Sequence, residues 1–178
     1  MKYQKIDSKL FVKNRKNFLS RMKPNSIAFF NSNDIYPVSA DSTLPFEQHR
    51  DIFYLSGVDQ EESVLMLCPS SSDKNHIEVL FLKETNNHIA IWEGPKLNKK
   101  QAFETSGIKT VYWLSEMEKV IDKIMRECKT IYYNHNEHYR AKIETETREE
   151  RFNKWLENKF PKKKKERSNP ILQHFRSI

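Results

Sequence analysis

Histidine and carboxylate side chains close together in a sequence are a first sign of metal or acid–base chemistry, and the densest group here is His135-Asn136-Glu137-His138. Its spacing is not H-E-x-x-H, so it does not put two histidines one helical turn apart with a glutamate between them. The segment follows the apolar run Thr130-Ile131-Tyr132-Tyr133 and precedes a charged helical pattern, the setting of a surface loop. His49, His76, His88 and His174 are scattered and suggest no ligand set. Asp41 and Asp51 could form a carboxylate pair, although an aspartate in a polar loop ordinarily makes turn hydrogen bonds. Ser39, Ser42 and Ser56 lack a nucleophile-elbow context, and Cys68 and Cys128 read as buried thiols with no histidine partner. Gly57, Gly94 and Gly107 fall in no phosphate-cradling loop. Trp92 stands apart, because it closes an alternating run beside Glu93-Gly94-Pro95, where an indole could be presented outward to apolar or proline-like groups.

The elements that must position these residues alternate between helix and strand. Phe11, Phe18, Leu19 and Met22 share one face of a helix predicted over 8–22, and Pro24 follows its end. A buried strand is expected over 26–30, followed by a long polar loop. Ile52-Phe53-Tyr54-Leu55, closed by Ser56-Gly57, reads as a strand, as do 63–68 and 77–82. The run 88–92 reads as a further strand, joined to 77–82 as a hairpin. A helix opening near Asn98 and stopped at Gly107, a strand over 110–114, and a helix capped by Ser115 and Glu118 come next. A strand over 130–133 and a charged helix over about 139–159 complete the pattern. A central meander gives antiparallel neighbours and the later strand-helix-strand units give parallel ones, so the fold class is α/β with a mixed sheet flanked by helices.

At 178 residues the chain can bury a core without staples, and its two cysteines argue against a disulfide framework. Neither a signal peptide nor a membrane-spanning run is visible, which points to the cytoplasm. The net charge of +7 is partly local to Lys162, Lys163, Lys164 and Lys165, a run that reads as a solvated linker over 161–168. No RNA- or DNA-binding signature accompanies it, so nucleic acid is not an expected partner.

Three segments carry a resemblance. They are Pro37-Val38-Ser39-Ala40-Asp41-Ser42; Leu44-Pro45-Phe46-Glu47-Gln48-His49-Arg50-Asp51-Ile52-Phe53-Tyr54-Leu55-Ser56-Gly57; and Glu61-Glu62-Ser63-Val64-Leu65-Met66-Leu67. Together with Ile91-Trp92-Glu93-Gly94-Pro95-Lys96-Leu97, Ala102 and Gly107, the chain resembles the N-terminal domain of bacterial aminopeptidase P. Glu47 and Arg50 depart from the arginine and small polar residue common at those steps.

The resemblance implies a three-layer α/β/α domain with a ribonuclease-H-like motif over 1–160, the basic linker, and over 169–178 a truncated lead-in to an absent pita-bread catalytic domain. That second domain would hold two divalent metal ions, expected to be manganese, with no cofactor in this segment. The parent would be an Xaa-Pro aminopeptidase acting on peptides with proline in second position, and the segment alone would be inactive. The N-terminal domain is expected to mediate homo-oligomerisation and to cover a neighbouring subunit's active site, with Asp41 and Trp92 near the substrate. Related N-terminal domains occur in prolidase, and aminopeptidase-like folds also occur in peptide-binding proteins that do not hydrolyse, so both alternatives stay open.

Overall fold

On β1 (Ser26–Asn31) every residue is buried, and Ile27 and Phe29 point to the opposite side from Ala28 and Phe30. A strand apolar on both faces needs cover on both. The structure, a computed structural model that describes residues 6–86, 88, 90–91, 94–140 and 145–176, provides it. Strands β2 (Pro37–Ser39) and β3 (Ser42–Thr43) form a separate ribbon. Strands β4 (Val64–Leu67), β5 (Glu78–Leu82), β6 (Thr110–Trp113), β7 (Thr130–Tyr133) and β8 (Lys164–Arg167) join β1 in a sheet of order β6-β5-β4-β1-β7-β8. The β1–β4 and β4–β5 pairs are antiparallel, and β5–β6, β1–β7 and β7–β8 are parallel.

The helices are α1 (Ser8–Leu19), α2 (Arg50–Ser56), α3 (Lys99–Ser106), α4 (Met117–Met125), α5 (Arg148–Lys159) and α6 (Asn169–Arg176). Phe18, Ile52, Leu55, Ala102, Ile171 and Leu172, from α1, α2, α3 and α6, cover the face that carries Ala28, Phe30, Leu65 and Leu80. Ile121, Ile124, Met125 and Leu156, from α4 and α5, cover the face that carries Ile27, Phe29, Met66 and Phe81. Each large apolar side chain so buried contributes roughly 1.5–3 kcal/mol. The result is the expected three-layer α/β/α arrangement around a mixed sheet.

Several elements differ from the sequence reading. Residues 52–55 are not a strand but the body of α2, with Ile52 and Leu55 facing the core at helical spacing. The His49 ring caps its start by accepting from the Asp51 amide at 3.3 Å. Of the expected strand at 88–92, the described residues 88, 90 and 91 are helical, with the Ala90 amide donating to Asn86 O at 3.0 Å; the next sheet partner of β5 is β6. The helix expected from Tyr139 begins only at Arg148, where Thr147 and Glu150 form a capping box. Ser115 does not cap α4: its hydroxyl donates to Glu84 at 2.9 Å, while Glu116 accepts the Trp113 amide at 3.0 Å.

The lysine run is also corrected. Its side chains are largely solvated, as expected of a linker, but Lys164–Arg167 is the backbone of β8, docked by Lys164 N to Lys129 O and Ser168 N to Tyr133 O, each at 2.9 Å. A strand at a sheet edge needs only backbone pairing, so no apolar alternation announced it. Helix α6, read as a lead-in, packs on the core through Ile171 and Leu172.

Helices α2 and α3 end alike. In Ser56-Gly57-Val58 and Ser106-Gly107-Ile108 the serine hydroxyl donates to the carbonyl four residues back at 2.7 Å, and accepts the amide two residues on, at 3.2 and 3.1 Å. The glycines are left-handed, with φ of 68° and 74°. Gly57 is crowded as well, because a Cβ there would lie 2.2 Å from Phe11 Cε2, whereas one on left-handed Gly94 would meet nothing within 4 Å. Gly57→Ala is therefore expected to lower stability by about 2–3 kcal/mol and Gly94→Ala by about 1 kcal/mol, read from urea midpoints. Equal losses at the two positions would remove the crowding argument.

Candidate functional site

Parallel strands β1, β7 and β8 run the same way, so the residues that follow them, Ser32-Asn33, Asn134-His135 and Ser168-Asn169, emerge at one edge of the sheet. In open α/β sheets the crevice outside such carboxyl ends is the usual place for ligands. Here it is a cleft of about 780 Å³, whose lining includes His49, Asp51, His135, Glu137, Asn169 and Arg176. A second cavity of about 300 Å³ is lined by His49 and His135 as well, together with Thr147 and Glu149.

Beneath the cleft lies a polar cluster. Asn134 is fully buried, and its amide donates to Asp51 Oδ2 at 2.7 Å and to Glu149 Oε2 at 3.1 Å. Asn153 donates to Asn134 O at 2.9 Å, fixing the turn that presents it. Arg176 Nη1 lies 2.5 Å from Asp51 Oδ1, Nη2 donates to Arg50 O at 3.1 Å, and the guanidinium stands 4.7 Å from the Tyr54 ring centroid. One arginine thus fastens α6 to α2. The His49 ring is 3.7 Å from Asp51 and 3.4 Å from Glu149.

Two carboxyl groups around one asparagine, with a single arginine in contact, leave one negative charge to be neutralised. Burial, reinforced by the Asp51 carboxylate, pushes the Glu149 carboxyl up to about 8. Burial holds the His49 imidazole below its ordinary value, with Arg176 adding to the effect. At neutral pH the cluster therefore consists of an Asp51–Arg176 pair, a protonated Glu149 and a neutral His49. It can hold a proton and exchange hydrogen bonds with a polar group.

The residues singled out from sequence are distributed otherwise. Asp41 is exposed in the tight turn between β2 and β3, while Asp51 is buried in the first turn of α2, so the carboxylate pair considered from sequence is split between two settings. The ribbon that carries Asp41 exposes Ile35, Tyr36 and Val38, with Leu44 just beyond it; Tyr36 OH is 3.1 Å from Thr145 Oγ1. Trp92 lies outside the described residues. His135 to His138 form a loop along the cleft, in which Glu137 pairs with Arg167 at 2.8 Å. Among the described residues no group of three or more His, Cys, Asp or Glu is placed to hold a metal ion. Among them, too, no helix is long and apolar enough to cross a membrane. Sequence reasoning missed Asn134, Glu149 and Arg176. Of the three, only Glu149 had a local signal, in the Thr147/Glu150 capping box that opens its helix.

A mixed sheet between two helical layers, with a cleft at the carboxyl ends of its parallel strands and a separate ribbon of exposed side chains, defines a three-layer α/β domain. The sequence profile of the aminopeptidase P N-terminal domain matches residues 11–132, and the chain belongs to that family. It is 28% identical over 138 residues to the Xaa-Pro aminopeptidase of Escherichia coli K12, covering 78% of this chain and 31% of that protein. It is 26% identical over 150 residues to Xaa-Pro aminopeptidase 3 of the rat, covering 83% and 29%. The chain thus spans about a third of the length of these curated relatives. A candidate aminopeptidase P from Bacillus anthracis shares the fold with a TM-score of 0.84 at 24% identity, over 96% of this chain and 40% of that one. Zinc-substituted E. coli aminopeptidase P in complex with product matches with a TM-score of 0.66 at 27% identity, over 78% and 31%.

Proposed function

We propose that this chain is the N-terminal, non-catalytic part of a metal-dependent Xaa-Pro aminopeptidase, an enzyme that releases the residue preceding proline. The observation that carries its role is the β2–β3 ribbon. Exposed Ile35, Tyr36, Val38 and Leu44 surround a turn with Asp41 at its tip, and Val38 is 59% exposed. An apolar projection ending in a carboxylate suits docking against a second subunit, with the carboxylate delivered to that subunit's site. Two divalent metal ions, for which we propose manganese, would belong to the catalytic domain that this reading places after 169–178, where they would activate a hydroxide for attack on the bond before proline. Asp41 would orient the peptide ammonium or a neighbouring arginine. Trp92, proposed on the family resemblance, would pack its indole on the substrate. The setting proposed is a cytoplasmic homo-oligomer that binds neither nucleic acid nor membrane.

In the parent enzyme, Val38→Asp is expected to shift the oligomer toward smaller species in sedimentation. Asp41→Asn and Trp92→Ala are expected to raise KM for an Xaa-Pro-containing tripeptide about tenfold with metal content unchanged, each losing roughly 1.4 kcal/mol of substrate binding. Unaltered kinetics in both would remove them from the site. Cleavage of Xaa-Pro dipeptides alone would instead identify a prolidase, and peptide binding without hydrolysis a binding module.

A further inference from the structure

Cys68 follows β4 and Cys128 precedes β7, on the sheet face covered by α4 and α5. They are 60 residues apart in sequence, yet their sulfur atoms are 3.5 Å apart. Both are free thiols, 1% and 2% exposed, among Met66, Val79, Ile124 and Met125. Strands β4 and β7 are the two neighbours of β1, so the pair straddles the central strand. Neither cysteine is inside a strand. Cys128 follows the turn after α4, with its amide donating to Met125 O at 3.3 Å.

The two thiols are not equivalent. The hydrogen bond shared by the two sulfurs lowers the pKa of Cys128 against the opposing effect of burial, and the Lys163 ammonium, which donates to Met125 O at 2.8 Å and to Cys128 O, favours its thiolate further, while as a thiol Cys128 reaches Ile124 O at 3.5 Å. Cys68 is pushed up by the same hydrogen bond and by burial. The ammonium beside it makes Cys128 the sulfur assigned to attack, with Cys68 as its resolving partner.

We infer that Cys68 and Cys128 form an oxidation site that a peroxide converts to an intramolecular disulfide. The Cys128 thiolate attacks one oxygen of hydrogen peroxide and the O–O bond breaks, giving a sulfenic acid and hydroxide, which takes up a proton as water. The Cys68 sulfur then attacks the sulfenic sulfur. Its thiol proton leaves with the departing hydroxide as a second water, and the S–S bond forms. Two thiols and one peroxide become one disulfide and two waters. The sulfurs close from 3.5 Å to bonding distance, about 2.05 Å, joining β4 to β7 across β1.

The test uses the unmodified chain. After stoichiometric hydrogen peroxide, alkylation with iodoacetamide and intact mass measurement should show a monomer short of two hydrogens and carrying no alkyl group. Its melting temperature should rise by roughly 5 °C or more, because the bridge closes a long loop, and dithiothreitol should reverse the change. In Cys68→Ala the sulfenic acid at Cys128 has no resolving partner, and dimedone should label it. Two alkylatable thiols after peroxide, a disulfide only between chains, or dimedone labelling of Cys68 in Cys128→Ala but not of Cys128 in Cys68→Ala would overturn the inference.

Discussion

Arg15→Ala is expected to lose about 3–5 kcal/mol of stability, a large share of the 5–15 kcal/mol that holds a typical domain folded. The Arg15 side chain is fully buried, and its guanidinium reaches three elements at once: Nε donates to Glu78 at 2.9 Å, and Nη1 to Leu55 O at 2.8 Å and to Ser106 O at 2.9 Å. The two carbonyls belong to the last turns of α2 and α3, where intrahelical donors run out, so a buried cation there satisfies acceptors that water cannot reach. Burial lowers the Arg15 pKa, and Glu78 opposes that shift by its charge and its hydrogen bond. Removing the guanidinium leaves two carbonyls and a carboxylate without their partner. Arg15→Lys should fall between wild type and alanine, since an ammonium cannot reproduce the planar fork. Urea midpoints read both effects, and an alanine variant within about 1 kcal/mol of wild type would show the clamp to be dispensable.

The second large effect depends on pH. Glu149 has an ordinary value of 4.5 and is held at about 8 in the folded chain. Folding therefore retains a proton that the unfolded chain has released at neutral pH. The associated stability is present in full below about pH 4.5 and is lost as pH rises toward 8, by roughly 4–5 kcal/mol at most. Glutamine keeps the shape and the acceptor for Asn134 and cannot ionise. Glu149→Gln should match wild type near pH 5 and exceed it by a few kcal/mol at pH 8.5, with a flatter profile between. The depressed His49 acts on the other flank, since its folded state resists protonation and stability falls as pH drops through its unfolded value. The difference between the two proteins isolates Glu149, and parallel pH profiles would show that its carboxyl titrates alike folded and unfolded.

The sheet and much of the helical cover were legible, because the short continuous apolar runs of β1, β4 and β5 and the Asn98 and Gly107 caps of α3 are local signals. Helix α2 was not. Ile52-Phe53-Tyr54-Leu55 has the composition of a strand, and its cap is a histidine ring rather than one of the short polar side chains that announce a helix start. Glu149 illustrates why the cluster escaped notice. In sequence it is one acid of the run Arg148-Glu149-Glu150-Arg151, and only the return of β7 beside β1 puts Asn134 over it and closes it from water. The ribbon was read as a polar loop, and its apolar side chains gained meaning from projecting rather than packing.

Strand β8 has a bearing on self-association. An open sheet edge is a template for another chain, and a second copy adding there in parallel register would set Lys164 and Lys165 against their own counterparts. Charge at this edge thus opposes backbone addition in that register, whereas the other edge strand, β6, carries no charged residue.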